Sequence, residues 1–168
     1  MHIVRYGIVV CLLLMVSSKT GHASENTGGI MLLPNIGYGY AASKDGKRGM
    51  GYHAGARILA NASASKRWGL EISYVSPFGY EESLKHENYV AAGIVLEAVL
   101  REEVVASIGT IGYIGVDRNE NKPFGVISGI GWEPKIGADA QLLVALRLES
   151  IFDTSTISRY SLSVGLKF

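Results

Sequence analysis

The chain has 168 residues, of which 48% are apolar and only 18% charged; it carries 21 glycines, one cysteine and a formal net charge of +1. Soluble domains carry about 25% charged residues and about 7% glycine, so this composition is poor in charge and rich in glycine. The near-zero balance leaves no basic footprint for nucleic acid, a lone cysteine excludes a disulfide scaffold, and a mean hydropathy of +0.20 argues against disorder.

Met1–Ala23 reads as a secretory signal peptide. Arg5 gives the positive n-region, Gly7–Val16 the apolar stretch, and Gly21-His22-Ala23 the small residues of a cleavage site. Ten apolar residues are too few to cross about 30 Å of hydrocarbon as a helix. Cleavage would remove Cys11, Arg5 and Lys19, leaving Ser24–Phe168 cysteine-free and near neutral. That exported chain needs a source of stability other than disulfides.

The mature chain carries segments of roughly ten residues with period-2 alternation, separated by short polar connections. The first, around Ile30–Ala41, sets Ile36, Tyr38 and Tyr40 against Asn35, Gly37 and Gly39. The second sets Tyr52, Ala54, Ala56 and Ile58 against His53, Gly55 and Arg57; the third, Trp68, Leu70, Ile72 and Tyr74 against Gly69, Glu71 and Ser73. Tyr89–Glu97 puts Val90, Ala92, Ile94 and Leu96 on one face but Tyr89 and Val95 on the other. Val104–Ile114 is apolar on both parities. Phe124–Trp132 sets Phe124, Val126, Ile130 and Trp132 against Gly125, Gly129 and Gly131, with Ser128 out of place. In the seventh, Leu142, Val144, Leu146 and Leu148 oppose Gln141, Ala145, Arg147 and Glu149. The eighth alternates Tyr160, Leu162, Val164, Leu166 and Phe168 with Ser161, Ser163, Gly165 and Lys167. Polar connections are expected near Ser43–Arg48, Asn61–Arg67, Ser76–His86, Leu100–Glu103, Asp117–Pro123, Glu133–Asp139 and Ser150–Thr156.

The polar faces decide between a soluble sandwich and a barrel in a membrane. A sandwich shows water a face rich in Lys, Glu and Asp; here that face is mostly Gly, Ser, Ala and Asn. Small residues with a few isolated charges suit the inside of a narrow barrel, and an apolar face on strands of about ten residues suits lipid. The expected fold is all-β: an eight-stranded antiparallel up-and-down transmembrane barrel over residues 24–168. With the N-terminus periplasmic, Tyr40, Tyr52, Tyr74, Tyr113, Phe124, Phe152 and Tyr160 fall near the outer strand ends. Trp68, Trp132 and Phe168 fall near the inner ends, completing two interfacial girdles.

Three stretches of the C-terminal half carry a family likeness: Pro123–Trp132 (PFGVISGIGW), Leu142–Glu149 (LLVALRLE) and Tyr160–Phe168 (YSLSVGLKF). They resemble the eight-stranded outer-membrane barrel superfamily of the OmpA transmembrane domain, OmpX and the opacity-type surface antigens. Trp68–Phe78 is also similar to the OmpW family, for which this chain is short. The resemblance implies an outer-membrane location in a Gram-negative bacterium and contact with membrane lipid and lipopolysaccharide. It also implies delivery by the barrel-assembly machinery, which would read the strand ending in Phe168.

The candidate site residues are the charges on the small-residue faces: Arg57, Glu71, Glu97, Arg147 and Glu149, with Arg159 and Lys167 as further members. In a narrow interior of low dielectric these must pair, since an unpaired buried charge is strongly destabilising. A monomeric structural or surface-interaction barrel without catalytic residues, cofactor or metal is the expectation. The alternatives are a narrow pore and a lipid A-modifying barrel enzyme. His53 and His86 are the two histidines beyond the leader; His86 lies in the longest loop with Glu81, Glu82, Ser83 and Glu87, and His-Glu there lacks the second His of a zinc motif.

Overall fold

A computed structural model of the chain describes residues 29–79, 88–101, 103–116, 122–136, 140–153 and 155–167. The expected leader, His86 with its loop companions 80–87, and Phe168 lie outside them. The alternating segments form eight strands: β1 (Ile30–Ser43), β2 (Arg48–Ser63), β3 (Lys66–Ser76), β4 (Tyr89–Arg101), β5 (Val104–Gly115), β6 (Phe124–Trp132), β7 (Gln141–Phe152) and β8 (Thr156–Lys167). Each pairs antiparallel with its neighbours in sequence, and β1 pairs with β8 to close the ring. Closure leaves no unpaired strand edge.

Up-and-down order collects the β1–β2, β3–β4, β5–β6 and β7–β8 connections at one end, here the loop end. The remaining connections, the start of β1 and the finish of β8 occupy the terminal end. The β2–β3, β4–β5 and β7–β8 connections are shorter than the polarity of the sequence suggests. The expected Asn61–Arg67 linker is a two-residue turn, Ala64-Ser65, because β2 runs to Ser63 and β3 starts at Lys66, with a register shift between Asn61 and Ser63. Polar residues there continue the ladder, so polarity alone misplaces the strand ends. Between β1 and β2, Gly46 turns the chain at φ 95°, in the left-handed region that favours glycine.

Side chains divide by parity between outside and lumen. Outward stand Ile36, Ile72, Ile94, Ile114, Leu146 and Leu162, all exposed (Leu146 at 63%), while Leu33 and Leu59 are fully buried inside. The two uncertain strands are settled: Val90, Ile94 and Leu96 of β4 face out and Tyr89, Val95 and Glu97 face in; on β5, Ile108 and Ile114 face out and Ile111 and Tyr113 face in. Tyr113 therefore does not belong to an outer girdle. It is 1% exposed, with its hydroxyl bound to Glu149, because a lumen carboxylate satisfies the phenol better than an apolar surface would.

Two apolar clusters fill the ends of the lumen. The loop-end cluster includes Val75, Tyr89, Ile111, Tyr113, Ile127 and Ile151, and is roofed by Phe78 from the β3–β4 connection. Leu33, Leu59, Val105 and Leu143 form the terminal-end cluster. Room for the large side chains comes from glycine beside them. A methyl on Gly125 would meet the Ser150 carbonyl and lie 2.8 Å from the Tyr113 ring.

Gly125→Ala should therefore lower the urea unfolding midpoint in detergent by the equivalent of about 1–3 kcal/mol of overpacking. Gly29→Ala, where a Cβ meets nothing within 4 Å, should leave it unchanged. Equal effects of the two would contradict the packing described.

Candidate functional site in the barrel lumen

Between the apolar clusters, and on past the terminal-end one, the lumen holds a chain of alternating charges. Three of its pairs are registered neighbours on adjacent strands. Arg57 of β2 faces Glu71 of β3, Arg67 of β3 faces Glu97 of β4, and Glu149 of β7 faces Arg159 of β8. Their N–O distances are 2.7, 3.5 and 2.8 Å. Directly opposed residues on one face of an antiparallel pair have adjacent Cβ atoms, so register alone brings these charges together.

Longer reaches join the pairs. Arg57 Nη1 donates to Glu97 at 3.0 Å, two strands away. Arg147 of β7 crosses the ring to Glu71 of β3, Nη1 to Oε1 at 2.6 Å, and its Nη2 lies 3.5 Å from Glu149. Strands three and seven lie diametrically opposite in a ring of eight, so this contact braces the lumen across its full width. Arg67 also reaches Glu133 at 2.8 Å, and Glu133 pairs with Lys167. The order is thus Lys167, Glu133, Arg67, Glu97, Arg57, Glu71, Arg147, Glu149, Arg159, alternating in sign at every step.

Three of these four carboxylates use both oxygens, while Glu133 takes both its cations on one and leaves Oε1 buried without a partner. Glu71 accepts from Arg57 on one oxygen and from Arg147 on the other. Glu149 accepts from Arg159 and, at 2.6 Å, from the Tyr113 hydroxyl. Charge-assisted bonds of this kind are the strong ones. Such saturation is what makes buried charge tolerable.

His53 ends the chain. Its Nδ1 lies 2.8 Å from Arg159 Nη2 and its Nε2 3.4 Å from the Ser163 hydroxyl. A guanidinium only donates, so Nδ1 carries the lone pair and Nε2 carries the hydrogen. In this tautomer Nε2 has no lone pair with which to accept the Ser163 proton, which is the opposite of the arrangement a serine nucleophile requires. Gly37 makes the ring's position available, since a Cβ there would collide with His53.

The five candidates on which the sequence reading centred all stand in this chain, as do Arg159 and Lys167. Arg67, Glu133, Tyr113 and His53 complete it. Arg67 and Glu133 fall in stretches the sequence marks as connections, yet both share parity with lumen residues, Arg67 with Gly69 and Glu71, Glu133 with Gly129 and Gly131. Extending each strand's parity one residue past its polar boundary would find them. The aromatic candidates divide differently. Tyr40, Phe124, Phe152 and Tyr160 are exposed near the loop end, Tyr52 and Tyr74 are half-buried with ring centroids 6.1 Å apart, and Trp68 and Trp132 are exposed near the terminal end. Trp132 Nε1 donates to Glu103 at 2.8 Å.

Comparison with solved structures turns the geometry into a family likeness of fold. Neisserial surface protein A (NspA) matches with a TM-score of 0.59 at 12% identity, over 84% of this chain and 98% of that one. The outer membrane protein AlkL matches with a TM-score of 0.56 at 11% identity, over 90% and 94%. The chain has the fold of the eight-stranded outer-membrane barrels. At the level of fold, the resemblance carried by the C-terminal strands therefore holds. No family model matches the sequence, and no match is found among curated proteins. Within this small barrel the lumen is occupied by its own side chains, as an eight-stranded cylinder requires.

Glu71→Leu would strip a carboxylate from both Arg57 and Arg147. Removing one partner of a buried pair costs about 3–5 kcal/mol, so the barrel should unfold at clearly lower denaturant, read by gel mobility without boiling. Asp45→Asn, at the exposed Lys47–Asp45 pair (3.8 Å), should leave that midpoint in place.

Proposed function

We propose that this chain is a small monomeric barrel of the outer membrane of a Gram-negative bacterium. On this reading its lumen is plugged by ion pairs, its role is structural or surface-interacting, and it carries out no catalysis of its own. The observation that carries the proposal is the outer surface. Isoleucine, leucine and valine cover it from strand to strand, with Ile72 at 61% exposure and Leu146 at 63%. Fully removing one such side chain from water is worth about 1.5–3 kcal/mol, so this belt calls for a hydrocarbon solvent. A transmembrane β-strand needs about 9–11 residues; β6, with nine, is the shortest among the described strands.

Aromatic residues rim the belt. Tyr40, Phe124, Phe152 and Tyr160 lie toward the loop end and Trp68 and Trp132 toward the terminal end, matching the headgroup preference of aromatic rings. AlkL, which shares the fold, was solved in lipid bilayers. With the N-terminus periplasmic after cleavage at Ala23, the loop end faces outward. Lys44, Arg48 and Lys122, exposed there, are placed to pair with lipopolysaccharide phosphates. The C-terminal strand ending in Phe168 would be the segment read by the barrel-assembly machinery. The braced lumen favours a plug over a pore, and the His53 tautomer gives no support to a hydrolase centred on Ser163.

Cell fractionation with protease shaving of the loop containing His86 tests location and topology together. The protein should fractionate with the outer membrane, run faster on gels before boiling, and be cut from outside. Recovery as a soluble, detergent-independent protein would overturn the reading. Leu146→Arg should reduce the folded fraction by the equivalent of about 2–4 kcal/mol near the bilayer midplane. Planar bilayers should show no steady conductance, and lipid A masses should be the same with and without the protein.

A further inference from the structure

The ladder leaves Arg147 Nε, Arg159 Nε and Glu133 Oε1 buried without a hydrogen-bond partner, and a cavity sits beside Arg147. Within the lumen a void of ≈ 20 Å³ is lined by Arg57, Glu97, Arg147, Asn35, Ser107 and Ser163. That is room for a single water-sized body. Gly129 and Gly131 of β6 also border it, and their missing side chains help keep it open.

Charge along the ladder is out of balance by one cation, although Glu71 bridges the two guanidiniums from outside the cavity. The lining carries two guanidiniums and one carboxylate. The ladder as a whole repeats the excess, with Arg57, Arg67, Arg147, Arg159 and Lys167 against Glu71, Glu97, Glu133 and Glu149. His53, with Nδ1 accepting from Arg159 and the hydrogen on Nε2, adds no charge. An uncompensated cation in a buried interior is costly.

Hydrogen bonding is short at Arg147, which lines the cavity. Arg147 is buried, its two terminal nitrogens are engaged by Glu71 and Glu149, and its Nε has no partner. The carboxylate lining the cavity is turned to other donors, Glu97 accepting from Arg57 on one oxygen and from Arg67 on the other. The hydroxyls of Ser107 and Ser163 are free to rotate toward the void as donors. What the cavity lacks is an acceptor that also carries negative charge. Its size excludes sulfate and phosphate.

We propose that the lumen cavity between Arg57 and Arg147 binds one small monovalent anion, a halide such as chloride. The ion accepts from Arg147 Nε and neutralises the residual positive charge of the ladder. This site stands on the lumen geometry and holds whether or not the barrel has a surface partner.

Crystals of the wild-type protein grown in bromide test it by anomalous scattering. One bromide peak should lie in the cavity within hydrogen-bond reach of Arg147 Nε. A water there without anomalous signal, or bromide only at exposed cations such as Lys44 and Lys122, would overturn the proposal. In solution, binding to the folded state alone raises stability with ligand concentration. The wild-type unfolding midpoint should therefore climb and saturate as chloride replaces gluconate at constant ionic strength. A midpoint indifferent to that exchange would equally contradict the site.

Discussion

Eight strands close around an interior so narrow that every inward side chain is chosen against the one across from it. This steric constraint explains why charge and glycine occur together. Arg147 can brace the lumen to Glu71 on the opposite wall only because small residues flank the path, and Tyr113 can reach Glu149 only because Gly125 has no side chain. Excess glycine and scarce charge, odd for a soluble domain, are two aspects of one packing problem. Large polar groups are spent where they meet a partner, and glycine fills the positions between.

The ion pairs then distribute the strain of burying charge. A lone pair in such an interior would leave lone pairs and N–H groups unsatisfied, and burying it can cost more than it returns. A chain in which Glu71, Glu97 and Glu149 each serve two cations spreads that cost over five of the eight strands. The same chain links strands that never touch: β3 to β7 through Arg147, β2 to β4 through Arg57. The ring is thus held both by its backbone ladder and by bonds across its width.

How far the sequence foretells this depends on the signal each residue carries. Period-2 alternation placed the eight strands, since outward and inward positions differ sharply in composition on β1, β2, β3, β7 and β8. It was blind on β5, where both parities are apolar. There Tyr113 is fixed in the lumen by Glu149, 36 residues away, a contact local pattern cannot express. Arg67 and Glu133 were hidden by their surroundings, because polar neighbours mark them as linker although their parity marks them as lumen. Pairing among lumen charges was legible as a necessity, but which Arg meets which Glu was not. That choice depends on register and on reach across the ring.

The central claim is that the lumen charges exist as a mutually dependent set, which a comparison of two unfolding midpoints tests most directly. Arg57→Met/Glu71→Leu/Arg147→Met removes a carboxylate together with both its cations, whereas Glu71→Leu alone leaves two buried guanidiniums each short of one carboxylate, Arg57 with Glu97 alone and Arg147 with Glu149 alone. Glu97 and Glu149 keep Arg67 and Arg159 in either case. Because stranded charge costs more than absent charge, the triple variant should unfold at higher denaturant than the single one. Losses that simply accumulate, with the triple variant the weaker, would contradict the account.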